Sequence, residues 1–271
     1  MPIQSSPRVV LSFSPSDPTA GSGLQADVLI AAALGVYPLS VLTGYAVQDS
    51  SRVEASQSVD GDWVADQARA LLEDIPVHAF KLGGVVSPEN AAEVADVLTD
   101  YPDVPVVFCP SLPVFTEQIV EEEMIGALCE LLVPLSTVLV IDGELALRFA
   151  SDEDELQESE LTGAECARRL IEFGASHVLL TGASQPGPQI VNTLYGEGGV
   201  LRTDAWERLP GGVRGSGDTL SAALAAFLAQ GMELSVAVHA AQAYTWQTLA
   251  QGWRLGMGHV LPNRWCDWVR P

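Results

Sequence analysis

Short apolar runs alternate with Ala- and Leu-rich segments along most of this chain, and that alternation constrains the fold more than any other feature. The strands are predicted at residues 8–14, 36–43, 77–82, 104–109, 137–141 and 177–181, and the helices at residues 23–34, 62–73, 88–98, 116–132 and 162–173. Nearly unbroken apolar strands between helices are typical of a mainly parallel sheet that helices cover on both faces.

The last third of the chain departs from this alternation. Residues 189–195 and 200–206 predict an antiparallel hairpin, because Gly196, Gly198 and Gly199 separate them. Two helices follow, at residues 216–229 and 234–251. The acidic segment at residues 151–160 is interpreted as a solvated loop. The length of 271 residues and the absence of a Pro-rich linker predict one domain over residues 1–271.

Charge and hydropathy limit the partners that the chain can have. Thirteen Lys and Arg residues against 35 Asp and Glu give a net charge of −22, which repels nucleic acids and anionic membrane surfaces. Residues 28–47 carry no charge, but Gly35 and Pro38 interrupt them and acidic residues flank them, so we reject a membrane span. No secretion signal is visible at residues 1–7, which predicts a cytoplasmic protein.

The four cysteines lie far apart in sequence, and no His residue stands at metal-ligand spacing from them. This pattern argues against a structural zinc site and against a disulfide framework, and it predicts reduced thiols.

The loop after the first strand is rich in small residues from Ser16 to Gly23 and leads into a helix. Ligands of open parallel sheets bind beyond the carboxyl ends of the strands, and small residues allow a ligand to approach the backbone. The segment therefore indicates a ligand-binding loop. A Gly-rich turn that merely caps the helix is the alternative.

A second glycine-rich loop, residues 211–217, leads into the helix predicted at residue 216. The backbone N–H groups of Gly215, Ser216 and Gly217 can form an anion nest for a phosphoryl group. Asp218 follows directly, where a carboxylate can accept the proton of an attacking hydroxyl. The alternative is that Asp218 only complements the helix dipole.

Lys81, the only lysine in the chain, lies at the end of a predicted strand. Such a lysine can contact a phosphate or an active-site carboxylate, or it can form a purely structural ion pair. The sequence leaves both interpretations open.

Taken together, these segments resemble the hydroxymethylpyrimidine and phosphomethylpyrimidine kinases. The similarity covers nearly the whole chain. Its motifs are SDPTAGSGLQAD, Gly35-Val36-Tyr37, Val47-Gln48-Asp49, Lys81-Leu82-Gly83, Gly215-Ser216-Gly217, Thr219-Leu220-Ser221-Ala222-Ala223 and the tail from Gly256 to Arg264. The opening motif is specific to this family, whereas the glycine loop with Asp218 is shared by ribokinase-like kinases in general, pyridoxal kinases included.

The resemblance implies a three-layer α/β/α ribokinase-like fold, a homodimer, and ATP with Mg²⁺ as the phosphoryl donor. It implies that Asp27 and Gln48 hold a pyrimidine substrate, with Gly21 and Gly83 on the same side of the site. Gln48 is suited to hydrogen bonds with ring nitrogens and an exocyclic amine.

For the phosphoryl donor, the resemblance implies nucleotide contacts by Thr181, Gly182 and Thr219. Gly215 to Gly217 match the anion hole. Asp218 matches the general base of the wider superfamily, at a position where the pyrimidine kinases usually carry Cys.

Two of the departures from the family pattern fall on the loops expected to contact the metal and the nucleotide. Cys109-Pro110-Ser111 stands where the family has Asp-Pro-Val, and residues 140–145 (VIDGEL) stand where it has Thr-Pro-Asn-x-x-Glu. Asp142 aligns with the Asn, and Glu144 is the only nearby substitute for the Glu, so these two residues are the candidate Mg²⁺ ligands.

The leading hypothesis is ATP-dependent phosphorylation of the hydroxymethyl group of 4-amino-5-hydroxymethyl-2-methylpyrimidine, of its monophosphate, or of both. The altered motifs motivate a second hypothesis, a relative that binds a pyrimidine or a vitamer without turnover. A third is a pyridoxal kinase, which keeps the chemistry and changes the alcohol.

Overall fold

The computed structural model describes residues 6–112, 118–151 and 161–266. Its strands are β1 (Val9–Ser16), β2 (Tyr37–Gln48), β3 (Val53–Ser58), β4 (Ala79–Leu82), β5 (Val106–Phe108), β6 (Val138–Asp142), β7 (Val178–Thr181), β8 (Gln189–Gly196) and β9 (Gly199–Glu207). Its helices are α1 (Gly23–Ala33), α2 (Gly61–Leu72), α3 (Pro88–Thr99), α4 (Gln118–Ala127), α5 (Gly143–Ala150), α6 (Gly163–Glu172), α7 (Ser216–Ala229) and α8 (Leu234–Ala250).

The described strands form one nine-stranded sheet in the order β3-β2-β1-β4-β5-β6-β7-β8-β9. Strands β2, β1, β4, β5, β6 and β7 run parallel. The β8–β9 hairpin joins β7 in antiparallel fashion, as predicted. Because the carboxyl ends of the parallel strands share one edge, the loops that follow β1, β4, β5, β6 and β7 lie together.

Helices cover both faces of the sheet, which confirms the predicted α/β fold with a mainly parallel sheet. One apolar core packs α2 to α6 against the sheet and contains Phe13, Phe80 and Phe108. The other packs α1, α7 and α8 and contains Ile30, Phe227 and Tyr244. Alternate residues of the central strands enter opposite cores, so neither face of the sheet centre contacts solvent.

Helix α7 is the most deeply embedded element. Nine consecutive residues, Thr219 to Phe227, are buried. The five residues from Ala222 to Ala226 are four alanines and one leucine. Small side chains allow α7 to pack closely between the sheet, α1 and α8. The amino terminus of α7 is thereby fixed relative to the sheet edge that carries the loops.

Three element predictions need correction. Strand β2 continues to Gln48 and pairs antiparallel with β3, which was not predicted. Helix α5 was also missed. The helix predicted at residues 116–132 is regular only to Ala127 in its described part and continues as a π turn, Leu128–Leu132. Of the predicted acidic loop at residues 151–160, all but Ser151 lies outside the described residues.

None of the described helices is both long enough and apolar enough to cross a membrane. Residues 28–47 instead form most of α1, a turn and most of β2. Trp253 and Trp265, near the C-terminal end of the described residues, stack on each other with ring centroids 5.5 Å apart.

Candidate active site

A cavity of about 550 Å³ opens at the carboxyl edge of the sheet. It extends from the amino terminus of α7 past the ends of β5, β6 and β7 to the β8–β9 hairpin and α8. Residues along this path that line it include Cys109, Asp142, Glu144, Thr181, Trp206, Gly215, Ser216, Gly217, Asp218 and Gln242. The predicted anion nest and the predicted nucleotide-side residues Thr181, Asp142 and Glu144 therefore share one cavity.

The loop after β1 is organised around Asp17, whose residue is 3% exposed. One carboxylate oxygen accepts from the N–H and the hydroxyl of Thr19, both at 2.8 Å. The other accepts from the N–H of Ser22 at 2.8 Å and from its hydroxyl at 2.7 Å. Burial opposes ionisation, but hydrogen bonds from Ser22, Gln48 and Thr19 together hold the pKa of Asp17 below its ordinary value. Asp17 thus fixes the loop as a carboxylate.

The second glycine loop closes onto the first at Gly215. Gly215 has a φ of 77° and is the residue before α7. A Cβ at this position would overlap the carbonyl oxygen of Gly21. Only glycine combines the left-handed conformation with this approach, so Gly215 lets the two loops meet at the head of α7.

Lys81 lies at the centre of a buried charge cluster between these loops. Its residue is fully buried. The ammonium nitrogen lies 2.7 Å from Oδ1 of Asp218 and 3.0 Å from Oδ1 of Asp27. Ser14 donates to Oδ2 of Asp27 at 2.6 Å, and Lys81 donates to the Ser14 hydroxyl at 3.1 Å. The structure favours the interpretation of Lys81 as a partner of active-site carboxylates over contact with a phosphate.

The space for this ammonium group depends on Gly83. A Cβ at Gly83 would lie 2.6 Å from the Lys81 nitrogen and would overlap the Ser14 hydroxyl. Any larger residue would displace one of them. Gly83 therefore contributes to the site through the room that it leaves, and its predicted contact with substrate stays a prediction.

The two carboxylates of the cluster differ in their proton affinity. Burial would by itself raise the pKa of Asp218, but the charge and hydrogen bond of Lys81, with the N–H of Gly23, hold it below its ordinary value. Burial raises the pKa of Asp27, although Lys81 opposes the rise and Asp218 adds to it. The two carboxylates raise the pKa of Lys81 against the effect of burial. Asp218 is thus the stronger acid of the two, is ionised at neutral pH and lines the cavity.

Arg264 joins the C-terminal segment to both glycine loops. It is 2% exposed. Its guanidinium donates to the carbonyl oxygens of Ala20 at 2.6 Å and Gly21 at 2.8 Å, and to the hydroxyl of Thr219 at 3.3 Å. The two loops are therefore held from behind by one side chain.

Cys109 occupies the position after β5 that the resemblance assigns to a carboxylate. Burial and the neighbouring Asp218 raise the pKa of its thiol to about 12, so Cys109 stays neutral. Its sulfur would lie 3.3 Å from a Cβ placed on Gly217. The site thus has a neutral group beside the nest, and Asp218 supplies the negative charge there.

The predicted substrate residues have defined partners. Asp27 is 1% exposed and contacts Ser14 and Lys81, which gives it a positioning role. Gln48 accepts from Arg214 at 2.7 Å and is hydrogen-bonded to Asp17. Both lie next to the loops as expected, whereas their direct contact with a pyrimidine stays a prediction. For Gly21, the described contact is its carbonyl oxygen with Arg264.

The predicted nucleotide residues divide into two groups. Thr181 lines the cavity. Gly182 donates its N–H to Asn192 at 3.0 Å. Thr219, in contrast, is fully buried and donates its hydroxyl to the carbonyl of Gly215 at 2.7 Å, behind the nest. Its contact with a nucleotide stays a prediction.

Asp142 caps α5, because its Oδ1 accepts from the N–H groups of Glu144 at 2.9 Å and Leu145 at 3.0 Å. Asp142 and Glu144 both line the cavity. Within residues 6–112, 118–151 and 161–266, no group of three or more His, Cys, Asp or Glu side chains could hold a metal ion. The pair fits a Mg²⁺ ion that takes most of its ligands from phosphates and water.

Sequence reasoning missed the roles of Asp17 and Arg264. Asp17 was noted only as part of a small-residue loop, although an Asp followed by Thr and Ser at positions that can donate to it is an available signal. The sequence places Arg264 in the tail motif without indicating a role for its side chain. Its partners are backbone carbonyls more than 240 residues away in sequence, which no local pattern indicates.

A glycine-rich loop at a helix start, an ionised carboxylate in the first turn of that helix and a cavity at the carboxyl edge of a parallel sheet are the features of a small-molecule kinase of the ribokinase-like class. Comparison with known proteins narrows the class. Residues 17–263 match the model of the family described as phosphomethylpyrimidine kinase, and the chain belongs to this family.

Curated relatives agree with the family match. The chain is 32% identical to the hydroxymethylpyrimidine/phosphomethylpyrimidine kinase of Rhizobium meliloti over 255 residues, which is 92% of this chain and 93% of the relative. It is also 32% identical to the thiamine biosynthesis bifunctional protein ThiED of Geobacter sulfurreducens, of which it covers 51%.

Solved structures agree as well. The phosphomethylpyrimidine kinase of Clostridium difficile is 26% identical, with a TM-score of 0.69 over 88% of this chain and 99% of that one. The pyridoxal kinase of Bacillus subtilis, solved as an ADP complex, is 25% identical, with a TM-score of 0.81 over 96% of this chain and 98% of that one. These comparisons confirm the predicted family, fold and kinase class.

Proposed function

We propose that this protein transfers the γ-phosphoryl group of ATP to the hydroxymethyl group of 4-amino-5-hydroxymethyl-2-methylpyrimidine, to its monophosphate, or to both, in thiamine biosynthesis or salvage. The proposal rests mainly on the ion pair between Lys81 and Asp218 at the amino terminus of α7. It holds an ionised carboxylate directly beside the Gly215–Gly217 nest, where an alcohol and a phosphoryl group must meet.

The chemistry of the transfer follows from these groups. Asp218 accepts the proton of the hydroxymethyl group as the new oxygen–phosphorus bond forms and the bond to the ADP oxygen breaks. The N–H groups of residues 215–217 stabilise the negative charge on the phosphoryl oxygens. Because phosphoryl transfer passes through a loose transition state, a carboxylate of low proton affinity suffices to orient the hydroxyl.

The cavity volume supports ATP as co-substrate, because about 550 Å³ lies within the range for small-molecule and cofactor sites. Mg²⁺ would be held by Asp142 or Glu144 together with the nucleotide phosphates, and it would neutralise charge on those phosphates. The altered motifs thus leave fewer protein ligands, and a weak affinity for Mg²⁺ in the absence of nucleotide is part of the proposal.

The pyrimidine is proposed to lie over the loop after β1, near Gly21 and Gly83, within reach of Gln48. Gln48 is held by Arg214, which precedes the nest. Reorientation of the Gln48 amide toward a ring nitrogen would release Arg214 toward the phosphates. Binding of the alcohol and arrangement of the phosphoryl site are coupled in this way.

A steady-state assay of ADP formation with the pyrimidine alcohol, ATP and Mg²⁺ tests the proposal. Asp218→Asn is expected to lower kcat by about 10²- to 10⁴-fold, the contribution of general base catalysis. Asp66→Asn, at an exposed position of α2, is the matched control and is expected to retain full activity. Absence of product with the unaltered protein, or equal rates for the protein and Asp218→Asn, would refute the proposed reaction.

Pyridoxal is a second candidate acceptor. The observation that favours it is the higher TM-score with the Bacillus subtilis pyridoxal kinase than with the Clostridium difficile phosphomethylpyrimidine kinase. Side-by-side measurement of kcat/KM for pyridoxal and for the pyrimidine alcohol separates the two. We expect the pyrimidine to be preferred.

We further propose a homodimer in the cytoplasm. Tyr45 and Val47 on β2 are 47% and 59% exposed, and an apolar surface on a hairpin at the sheet edge supports self-association. Dependence on ATP supports the cytoplasmic location. Sedimentation equilibrium at micromolar concentration tests the dimer, for which a single species of twice 28.7 kDa is expected.

A further inference from the structure

The end of the cavity remote from the nest is lined by side chains whose polar groups are already engaged. We call this surface the tryptophan wall and define it by Trp206, Trp246, Asn192, Gln242 and Thr245. All five line the cavity. Asn192 and Trp206 lie on β8 and β9, beyond β7 at the far end of the sheet order, and the other three residues lie on α8.

The polar side chains of this wall form a chain of hydrogen bonds with a fixed direction. Asp204 is held ionised, because the guanidinium of Arg202 and the ring of His239 bind its carboxylate and, against burial, lower its pKa. A carboxylate only accepts, so the amide NH₂ of Gln242 must point toward Asp204, at 2.9 Å.

The orientation of Gln242 then determines the rest of the chain. Its carbonyl oxygen accepts from Asn192 at 2.8 Å and from the indole N–H of Trp206 at 2.9 Å. Asn192 in turn presents its own carbonyl oxygen to the N–H of Gly182 at 3.0 Å. The amides are thus committed to one another and not to a ligand.

The other two members of the wall are engaged in the same way. Trp246 donates its indole N–H to the carbonyl of Glu207 at 2.9 Å, and Thr245 donates its hydroxyl to the carbonyl of Ala241 at 2.7 Å. The His239 ring packs on Trp206 with centroids 5.7 Å apart. What the wall presents to the cavity is aromatic and aliphatic surface, with Ile190 and Leu249 beside the indoles.

The position of the wall suits the base of a nucleotide. The nest lies at the head of α7, which packs on β4 and β5, and the wall lies at β8. Three strand spacings separate β5 from β8, about 14 Å at about 4.8 Å per strand. An extended nucleoside triphosphate spans this separation when its terminal phosphate occupies the nest.

We propose that the tryptophan wall binds the nucleobase of the phosphoryl donor by stacking and apolar contact, without side-chain hydrogen bonds to the base edge, so that the protein accepts ATP and GTP with little discrimination. The inference rests on the proposed function, because it places a nucleotide in the cavity. Apolar pockets discriminate weakly between ligands that differ in a polar group, whereas sites that hydrogen-bond such a group discriminate strongly. Every purine offers a face for stacking.

Equilibrium binding tests the inference without any phosphoryl acceptor. Kd values of non-hydrolysable ATP and GTP analogues, measured by calorimetry with Mg²⁺, are expected to agree within about tenfold. Trp206→Leu is expected to weaken both analogues by the same factor, about 5- to 100-fold, the equivalent of base–aromatic stacking. Gln242→Leu, which removes the acceptor for Trp206, is expected to weaken both by a smaller common factor.

Trp63→Leu is the matched control, because Trp63 lies on α2 and is 68% exposed; both Kd values should remain unchanged. A preference for one analogue greater than about tenfold, or unchanged Kd values in Trp206→Leu, overturns the inference. Failure of the proposed function gives a different result. If both analogues bind equally well but the pyrimidine alcohol is not phosphorylated, nucleobase binding by the tryptophan wall is supported and the pyrimidine alcohol is refuted as the acceptor.

Discussion

The ammonium group of Lys81, at the end of β4, forms an ion pair of 2.7 Å with the carboxylate of Asp218 in the first turn of α7. The two residues are 137 positions apart in sequence. Their contact joins the centre of the sheet to the anion nest. It also means that the base of the proposed reaction is compensated in charge before any substrate binds, so its negative charge does not repel the phosphates of the donor.

Replacement of Lys81 is expected to destabilise the protein. In Lys81→Met, Asp27 and Asp218 lose their common cation, and removal of one partner from a buried ion pair costs about 3–5 kcal/mol of unfolding free energy. Urea denaturation followed by circular dichroism measures this loss. In Lys81→Met/Asp27→Asn one of the two uncompensated carboxylates is removed as well, so we expect part of the stability to return and the effects of the two substitutions to be non-additive. If the effects of the two substitutions on the unfolding free energy were additive, Lys81 and Asp27 would not interact in the way that the ion pair implies.

The pH dependence of kcat/KM follows from the same cluster. Because the charge and hydrogen bond of Lys81, against burial, hold the pKa of Asp218 below its ordinary value, the base stays ionised throughout the neutral range and its protonation should not reduce activity there. In Lys81→Met/Asp27→Asn, burial is no longer opposed by the cation and the pKa of Asp218 rises. Activity is then lost as pH falls through this higher pKa, so the acid limb moves toward neutral pH. An unmoved acid limb would show that Lys81 does not control the base.

Gly215→Ala is expected to slow phosphoryl transfer while the protein stays folded. An alanine there both adopts a left-handed conformation and overlaps the carbonyl of Gly21. Gly35→Ala is the matched control, because Gly35 has a φ of 74° and nothing within 4 Å of an added Cβ. Both substitutions carry the backbone cost of about 1–2 kcal/mol. Only Gly215→Ala should lower kcat, by more than about tenfold, since the nest must shift. Equal kcat values would argue against the close approach of the loops.

Arg264→Lys tests the connection between the C-terminal segment and the loops. A lysine keeps the charge but cannot reach two carbonyls and a hydroxyl with a planar fork. We expect a loss of stability of about 1–3 kcal/mol and a rise in KM for the pyrimidine alcohol, because Ala20 and Gly21 lose their partner. Thermal unfolding and steady-state kinetics measure the two effects. A variant with unaltered KM would show that the loop keeps its shape without Arg264.

The parts of the fold that sequence predicts well are those in which pattern and burial agree. The buried parallel strands are apolar throughout, and the hairpin β8–β9 is marked by glycines. Strand β3 was missed because its sequence, VEASQS, is polar and half of an exposed hairpin, so neither apolar alternation nor burial marks it. Helix α5 was missed because it has only eight residues and its first three, residues 143–145, belong to the motif interpreted as a metal site.

The site was predictable where residues act through local geometry and was not where they act through the fold. The nest and Asp218 follow from a glycine loop before a helix. The role of Lys81 depends on strand order, since β4 lies beside β1 and carries the lysine to Ser14 and Asp27. The spacing of residues in the sequence does not predict that β4 lies beside β1. It also does not predict the hydrogen bonds of Gln242 to residues of β8 and β9.

The hydrogen bonds of Arg264 join Ala20 and Gly21 to a residue more than 240 positions later in the sequence. The shape of the loop that contains Asp17 therefore depends on contacts of very high sequence separation. Such contacts carry a large loop-closure entropy and tend to form late in folding. We expect the proposed phosphate site to reach its final shape only after most of the sheet has assembled.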